Sequence, residues 1–233
     1  MRLTVFNGSP RGKGSNSKIL MEQFVTGFQE NNENSHEIAY LSRTGDQEKF
    51  VEIFRNAEMV LLIFPLYTDA MPGIVKHFIE SLAPFCGRPN NPPIGFIIHS
   101  GFPEAIHCRA LEKYLEKLAR RLDSPYLGTV IKGGTEGIQI QSAGMTRKLF
   151  TAFYQLGRYF AQNQQFDPNI VQKFTKRERF PLIGRMIFTI VNFITYREAT
   201  GDAFPRRSVG TRRSPVAEPV EARWLSLESR SHA

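Results

Sequence analysis

Asn7-Gly-Ser-Pro-Arg-Gly-Lys-Gly-Ser-Asn-Ser17 follows directly on a short apolar run over residues 3–6 and leads into a stretch with helical periodicity. Strand, glycine-rich turn and helix in that order bring a helix N-terminus, with its unpaired N–H groups, up against a loop of small residues. Ser9, Gly12, Ser15 and Ser17 let backbone donors and hydroxyls turn inward, and Arg11 and Lys13 add positive charge beside them. The stretch reads as a phosphate cradle. Two other phosphate loops fail on spacing. The nucleoside triphosphate loop needs Gly, four residues, then Gly-Lys-Ser/Thr, but four residues after Gly8 comes Lys13-Gly14-Ser15. The dinucleotide fingerprint needs Gly-x-Gly-x-x-Gly, and Gly12-x-Gly14 is followed by Ser17 in the third position.

Working outward, apolar runs and helical patterns alternate. Strands are expected over 3–6, 37–41, 59–64, 94–99 and 126–131, and helices over 16–29, 47–55, 73–81 and 104–121. The helix over 104–121 is the clearest: Leu111, Leu115 and Leu118 share one face, and Glu112, Lys113, Glu116 and Lys117 the other. Alternation of this kind gives an α/β fold with a doubly wound, five-stranded parallel sheet between two helical layers. Right-handed crossovers then bring ligands to the carboxyl ends of the strands, where the winding reverses.

Three loops meet at that edge. The first is the cradle. The second, Pro65-Leu-Tyr-Thr-Asp-Ala-Met-Pro-Gly73, restricts the chain with prolines and offers Tyr67 for stacking, while Thr68 or Asp69 can cap the helix that follows. The third comprises His99-Ser-Gly-Phe-Pro-Glu104 and, after the last strand, Gly133-Gly-Thr-Glu-Gly137, whose glycines permit close approach to a ligand.

Taken together, Asn-Gly-Ser-Pro-Arg with Ser-Asn, Pro-Leu-Tyr with Met-Pro-Gly, and Ser-Gly-Phe-Pro-Glu resemble, in order and spacing, the flavodoxin-like NAD(P)H-dependent FMN reductase family over residues 1–160. The resemblance implies non-covalent FMN, with its phosphate held by Ser9, Arg11, Ser15, Asn16 and Ser17 and with Pro10 and Gly12 in the same loop. It implies an isoalloxazine ring against Pro65, Leu66, Tyr67, Thr68 and Met71, with Ser100, Gly101, Phe102 and Gly133 on the other side. NADPH or NADH would be the electron donor, and a flavin, quinone or similar small molecule the acceptor. No catalytic side chain is implied, since the cofactor carries the chemistry. A homo-oligomer is implied as well. Among the histidines, His77 and His107 fall in or beside helices and read as structural; His99 alone adjoins the site, where a proton role stands beside a structural one. A second reading is a flavodoxin-like electron carrier or FMN-binding regulatory protein without NAD(P)H turnover, and a third is a domain that keeps the fold without flavin.

Composition agrees with one FMN-binding domain and an appendage. A chain of 233 residues, 41% hydrophobic, can bury a substantial core. No charged start followed by a long apolar stretch opens it, so the cytoplasm is the expected location. Cys86 and Cys108 lie far apart and form no Cys-x-x-Cys pair, so they are expected to be inert thiols, with no metal site. The net charge of +8 divides into an excess of three basic residues up to Gln164 and five beyond it, which argues against a nucleic-acid partner for the domain. We expect a flavodoxin-like domain over 1–164, a helical extension over 165–200 that opens with a polar helix over 167–178, and a disordered basic tail over 201–233. The apolar segment 180–196 is too short, and too interrupted by Arg185, to span a bilayer. It is left to pack on its own domain, to cover a second subunit's flavin site, or to make peripheral membrane contact.

Overall fold

In Met59–Pro65 all seven residues are buried, so this strand has to lie inside a sheet that is covered on both faces. The computed structural model, which describes residues 1–31 and 33–176, places it there. The strands are β1 (Arg2–Asn7), β2 (Ser35–Tyr40), β3 (Met59–Pro65), β4 (Ile94–His99) and β5 (Tyr126–Lys132). They form one sheet in the order β2-β1-β3-β4-β5. Every neighbouring pair is parallel, with Leu3 opposite Met59, Val60 opposite Ile94, and Pro65 opposite His99. The chain leaves β1 toward β2 on one side and returns to β3 on the other. The carboxyl ends of β1 and β3 therefore bound the reversal point.

Side-chain alternation along the strands sorts the helices between the two faces. Phe6, Val60, Leu62, Phe64, Phe96 and Ile98 pack with α2 (Gln47–Arg55), α3 (Gly73–Ser81) and α4 (Ile106–Arg121). Leu3, Val5, Met59, Leu61, Ile63 and Ile97 pack with α1 (Asn16–Phe28), α5 (Ala143–Asn163) and α6 (Pro168–Thr175). This is the expected doubly wound five-stranded fold. Leu111, Leu115 and Leu118 form the buried face of α4, as their spacing requires.

Two differences from the sequence reading stand out. Residues 143–163, for which the periodicity had suggested no element, form α5, with Phe153, Leu156 and Phe160 fully buried. The polar helix over 167–178 is shorter among the described residues, spanning Pro168–Thr175, and the Asp167 carboxylate caps it by accepting from the Asn169 N–H. It is also more apolar in its contacts than expected. Ile170 is buried, and Phe166 packs on Phe24 and Phe160 at ring-centroid distances of 6.2 and 5.0 Å.

The described residues 1–31 and 33–176 belong to one compact unit. The apolar segment 180–196 and the basic tail 201–233 lie outside the described residues. Among the described residues no helix is long and apolar enough to cross a membrane. Both cysteines are free; burial pushes the Cys108 thiol up to about 11, which keeps it protonated and inert, whereas Cys86 is exposed.

Helices α1 and α5 approach so closely that glycine is required on each. A Cβ on Gly27 would lie 1.9 Å from the Tyr154 carbonyl oxygen, and one on Gly157 1.8 Å from that of Phe24. These obstacles are backbone atoms, which cannot rotate away. Replacing Gly157 by alanine is expected to lower stability by about 1–3 kcal/mol in a denaturant titration, despite alanine's better helix propensity.

Candidate functional site

Helix α1 begins where β1 ends at the reversal point, so its first turn faces the carboxyl edge of the sheet. Ser15 is the N-cap: its hydroxyl accepts from the Lys18 N–H and donates to the Gly12 carbonyl at 2.6 Å. Gly12 takes φ of +52°, where a side chain is strained, and its Cβ would also meet the Ser42 hydroxyl at 2.7 Å. The Asn7 side-chain carbonyl accepts from the Ser9 N–H at 3.0 Å and holds the start of the loop. Among the described residues the Ser9 hydroxyl, on a residue only 2% exposed, has no hydrogen-bond partner. Arg11 is exposed beside the loop, with its guanidinium 3.8 Å from the Glu136 carboxylate. The N–H groups of Asn16 and Ser17, in the first turn, have no carbonyl four residues earlier in the helix. These donors, the unpaired hydroxyl and the exposed cation are the features a phosphate monoester requires.

Two of the expected phosphate ligands use their side chains otherwise. The Asn16 amide donates to the carbonyls of Thr135 and Glu136, at 2.8 and 3.2 Å. The Ser17 hydroxyl lies fully buried, 2.7 Å from His99 Nε2. Both residues keep their main-chain N–H groups for a ligand. Gln139, which carried no local signal in the sequence, reaches across from the loop after β5 and donates to the Gly14 carbonyl and to Asn16 Oδ1. Thr135 and Glu136 were visible only as members of a glycine-rich loop. Pro10 is exposed at the outer rim of the cradle.

The second and third loops lie beside each other at the ends of β3 and β4. Pro65 and Leu66 are buried, and the Leu66 N–H donates to the His99 carbonyl at 2.7 Å. Neither Thr68 nor Asp69 caps α3, whose N-cap is Pro72 without a side-chain hydrogen bond. Instead Tyr67 and Ala70 exchange main-chain hydrogen bonds across a tight turn, with Thr68 at φ of +57°. For a β-branched residue that conformation costs about 1–2 kcal/mol. Tyr67 and Phe102 stand 43% and 47% exposed, presenting two aromatic faces at the rim, and Met71 is half-buried against the core beneath. Ser100 is buried, and its hydroxyl donates to the Phe102 carbonyl, which also accepts from the Gly134 N–H. Gly133 sits beneath that loop, where a Cβ would fall 2.5 Å from the Phe102 carbonyl oxygen. Gly101 is exposed beside Glu136. Among the helical histidines, His77 is exposed on α3. His107 lies between Asp69 and Glu104, at 3.5 and 3.3 Å, with the Phe102 ring tilted against it at a centroid distance of 5.1 Å.

His99 is 4% exposed, and burial holds its imidazole down at about 3. It is therefore neutral at neutral pH and no ready proton donor. Because the folded value lies below that of the unfolded chain, stability from this group is complete above about pH 6.5 and is lost as pH falls toward 3. The wild-type protein is expected to lose up to roughly 1 kcal/mol per pH unit more than His99→Gln across that window, read as the difference between their denaturation midpoints.

Comparison with known proteins follows the same outline. The family described as "Flavodoxin-like fold" matches over residues 1–85. An FMN-dependent NADH-azoreductase from Bacillus anthracis str. Ames Ancestor, solved in complex with FMN, superposes with a TM-score of 0.54 at 14% identity, covering 69% of this chain and 99% of that one. An NADH:FMN oxidoreductase (EMOB) in its apo form gives 0.53 at 16% identity, covering 72% of this chain and 92% of its own. An NAD(P)H:quinone oxidoreductase from Methanothermobacter marburgensis gives 0.53 at 14% identity, covering 71% and 99%. No curated protein matches the chain. The matched segment holds the cradle and the first three strands, and together with the parallel 2-1-3-4-5 sheet and these superpositions it shows that the chain has the flavodoxin-like fold.

Proposed function

We propose that the chain is an FMN-dependent oxidoreductase that uses NAD(P)H to reduce a flavin, quinone or similar small acceptor. The observation that carries this reading is the cradle itself. Ser9, Arg11 and the first turn of α1, with its unpaired main-chain donors, all belong to the loop that leaves β1 at the reversal point of a 2-1-3-4-5 sheet. Two exposed aromatic rings, Tyr67 and Phe102, stand on the loops of the adjoining strands. That arrangement suits a ligand with a terminal phosphate and a flat apolar body. The names of the three superposed reductases, each FMN-dependent, FMN-reducing or quinone-reducing, support the same class.

Bound FMN would supply two-electron chemistry, accepting hydride from a nicotinamide and passing reducing equivalents to the acceptor. The protein's part is orientation and exclusion. Residues Ser9 and Arg11, with the N–H groups of Asn16 and Ser17, would hold the phosphate. Pro65, Leu66, Tyr67, Thr68 and Met71 would border one side of the ring, and Ser100, Gly101, Phe102 and Gly133 the other. The tight turn at Thr68 and the tied loop around Phe102 hold those borders in place before any ligand arrives, which lowers the ordering cost of binding. No side chain is required to shuttle a proton, in keeping with the neutral, buried state of His99. The reading carries with it a cytoplasmic homo-oligomer.

Purified protein reconstituted with FMN is expected to bleach at its flavin band within seconds of anaerobic addition of NADH or NADPH. Bleaching only through a separate reductase would replace this reading with that of an electron carrier, and absence of FMN binding would end both. Arg11→Ala is expected to weaken FMN affinity about tenfold, as loss of one exposed charge-assisted contact does, without changing the thermal midpoint.

A further inference from the structure

His99 closes β4 on the face shared with Ile97, the face that α1 covers, so strand alternation alone carries its ring toward the first turn of α1. There both ring nitrogens meet hydroxyls: Nε2 is 2.7 Å from Ser17 Oγ and Nδ1 is 2.9 Å from Thr135 Oγ1. Two proton arrangements fit these contacts, and a neighbouring carbonyl decides between them. The Ser100 carbonyl oxygen lies 3.1 Å from Thr135 Oγ1, and it can only accept, so the Thr135 hydroxyl donates to it. Thr135 Oγ1 then accepts from Nδ1–H, Nε2 is bare, and the Ser17 hydroxyl donates to Nε2. Every proton along the path has an acceptor. In the opposite arrangement Nε2–H points at Ser17 Oγ, and the fully buried Ser17 proton has no other acceptor among the described residues.

We propose that His99 is a positioning residue of the cradle: held as the Nδ1–H tautomer by Thr135, it commits the Ser17 hydroxyl to the protein interior and leaves the main-chain N–H groups of the first turn of α1 to bind the anion. The part of this that concerns a ligand rests on the flavin reading above. Thr135 is the common anchor. Its carbonyl accepts from the Asn16 amide, its hydroxyl sets the His99 tautomer, and its N–H donates to the Ser100 carbonyl at 2.9 Å. The two side chains that follow the cap of α1 are thus tied to one threonine, 1% exposed, in the loop after β5.

The test uses the full chain labelled with [15N]histidine, in which His99 is identified by the signal lost in His99→Gln. Two-bond 1H–15N spectra of the ligand-free wild type are expected to show His99 as a single Nδ1–H tautomer that does not titrate between about pH 5 and 8. Thr135→Val is expected to give a mixed tautomer and about tenfold weaker binding of both FMN and inorganic phosphate. Thr135→Ser, which keeps the hydroxyl, is expected to restore tautomer and affinities together. An Nε2–H or cationic ring in the wild type overturns the proposal, whether or not the valine variant folds. So does a Thr135→Val protein with wild-type tautomer and affinities, or a Thr135→Ser protein with a mixed tautomer. Failure of the flavin reading looks different: the wild type would then bind no FMN, while the spectrum of the ligand-free ring would still report the proton arrangement.

Discussion

The first turn of a helix has main-chain donors that no carbonyl of that helix can satisfy, and in this protein that turn is held against the open end of a parallel sheet. Much of the surrounding chain serves to fix it there. Ser15 caps it, Asn16 and Ser17 tie it to the loop after β5 and to the end of β4, and Gln139 fastens the Gly14 carbonyl from outside. The side chains absorb one another's hydrogen bonds. What is left pointing outward is backbone, whose geometry is rigid and whose charge preference, set by the helix dipole, is for anions.

The sheet makes this arrangement economical. Each crossover covers one face, so α1 and α5 share a layer and α2, α3 and α4 another, and the loops that leave β1, β3, β4 and β5 all emerge at the same edge. Loop contacts then tie that edge together without help from regular structure: the Phe102 carbonyl accepts two hydrogen bonds, and Gly133 lies so close beneath it that no side chain would fit. The strain at Thr68 is tolerated because main-chain hydrogen bonds between Tyr67 and Ala70 close the turn on either side.

Much of the architecture could be read from the chain. Strands buried on both faces are continuous apolar runs, and α4 is amphipathic enough that its Leu111, Leu115 and Leu118 face was evident beforehand. Helix α5 escaped notice for a physical reason. Its first turns, from Ala143 to Lys148, are largely small or polar, and Gly157 in its middle argues locally against a helix, whereas the tertiary contact with Phe24 demands a glycine there. At the site, residue types were legible but not their commitments. The family resemblance implies Ser17 as a phosphate ligand, and only the fold shows its hydroxyl spent on His99. Gln139 acts on Gly14 across a sequence separation of 125 residues, a distance over which no local pattern can signal. The capping that Thr68 and Asp69 offer in sequence goes unused likewise, because the chain satisfies itself by a turn before α3 begins.

The glycine contact between α1 and α5 has a mechanical consequence. Gly27 lies near the far end of α1 from the cradle, and the two backbones touch there with no side chain between them to compress. Seen from this contact the other end of the helix is the long arm, so a small tilt of α1 about it would translate into a larger displacement at Ser15, which the ties of the first turn oppose. Helix α5, remote in sequence from the phosphate loop and outside the segment that the flavodoxin-like family matches, thereby limits how far the end of α1 away from the loop can shift toward it. A bulkier residue at this crossing would push the two helices apart and with them the start of α1 at the cradle.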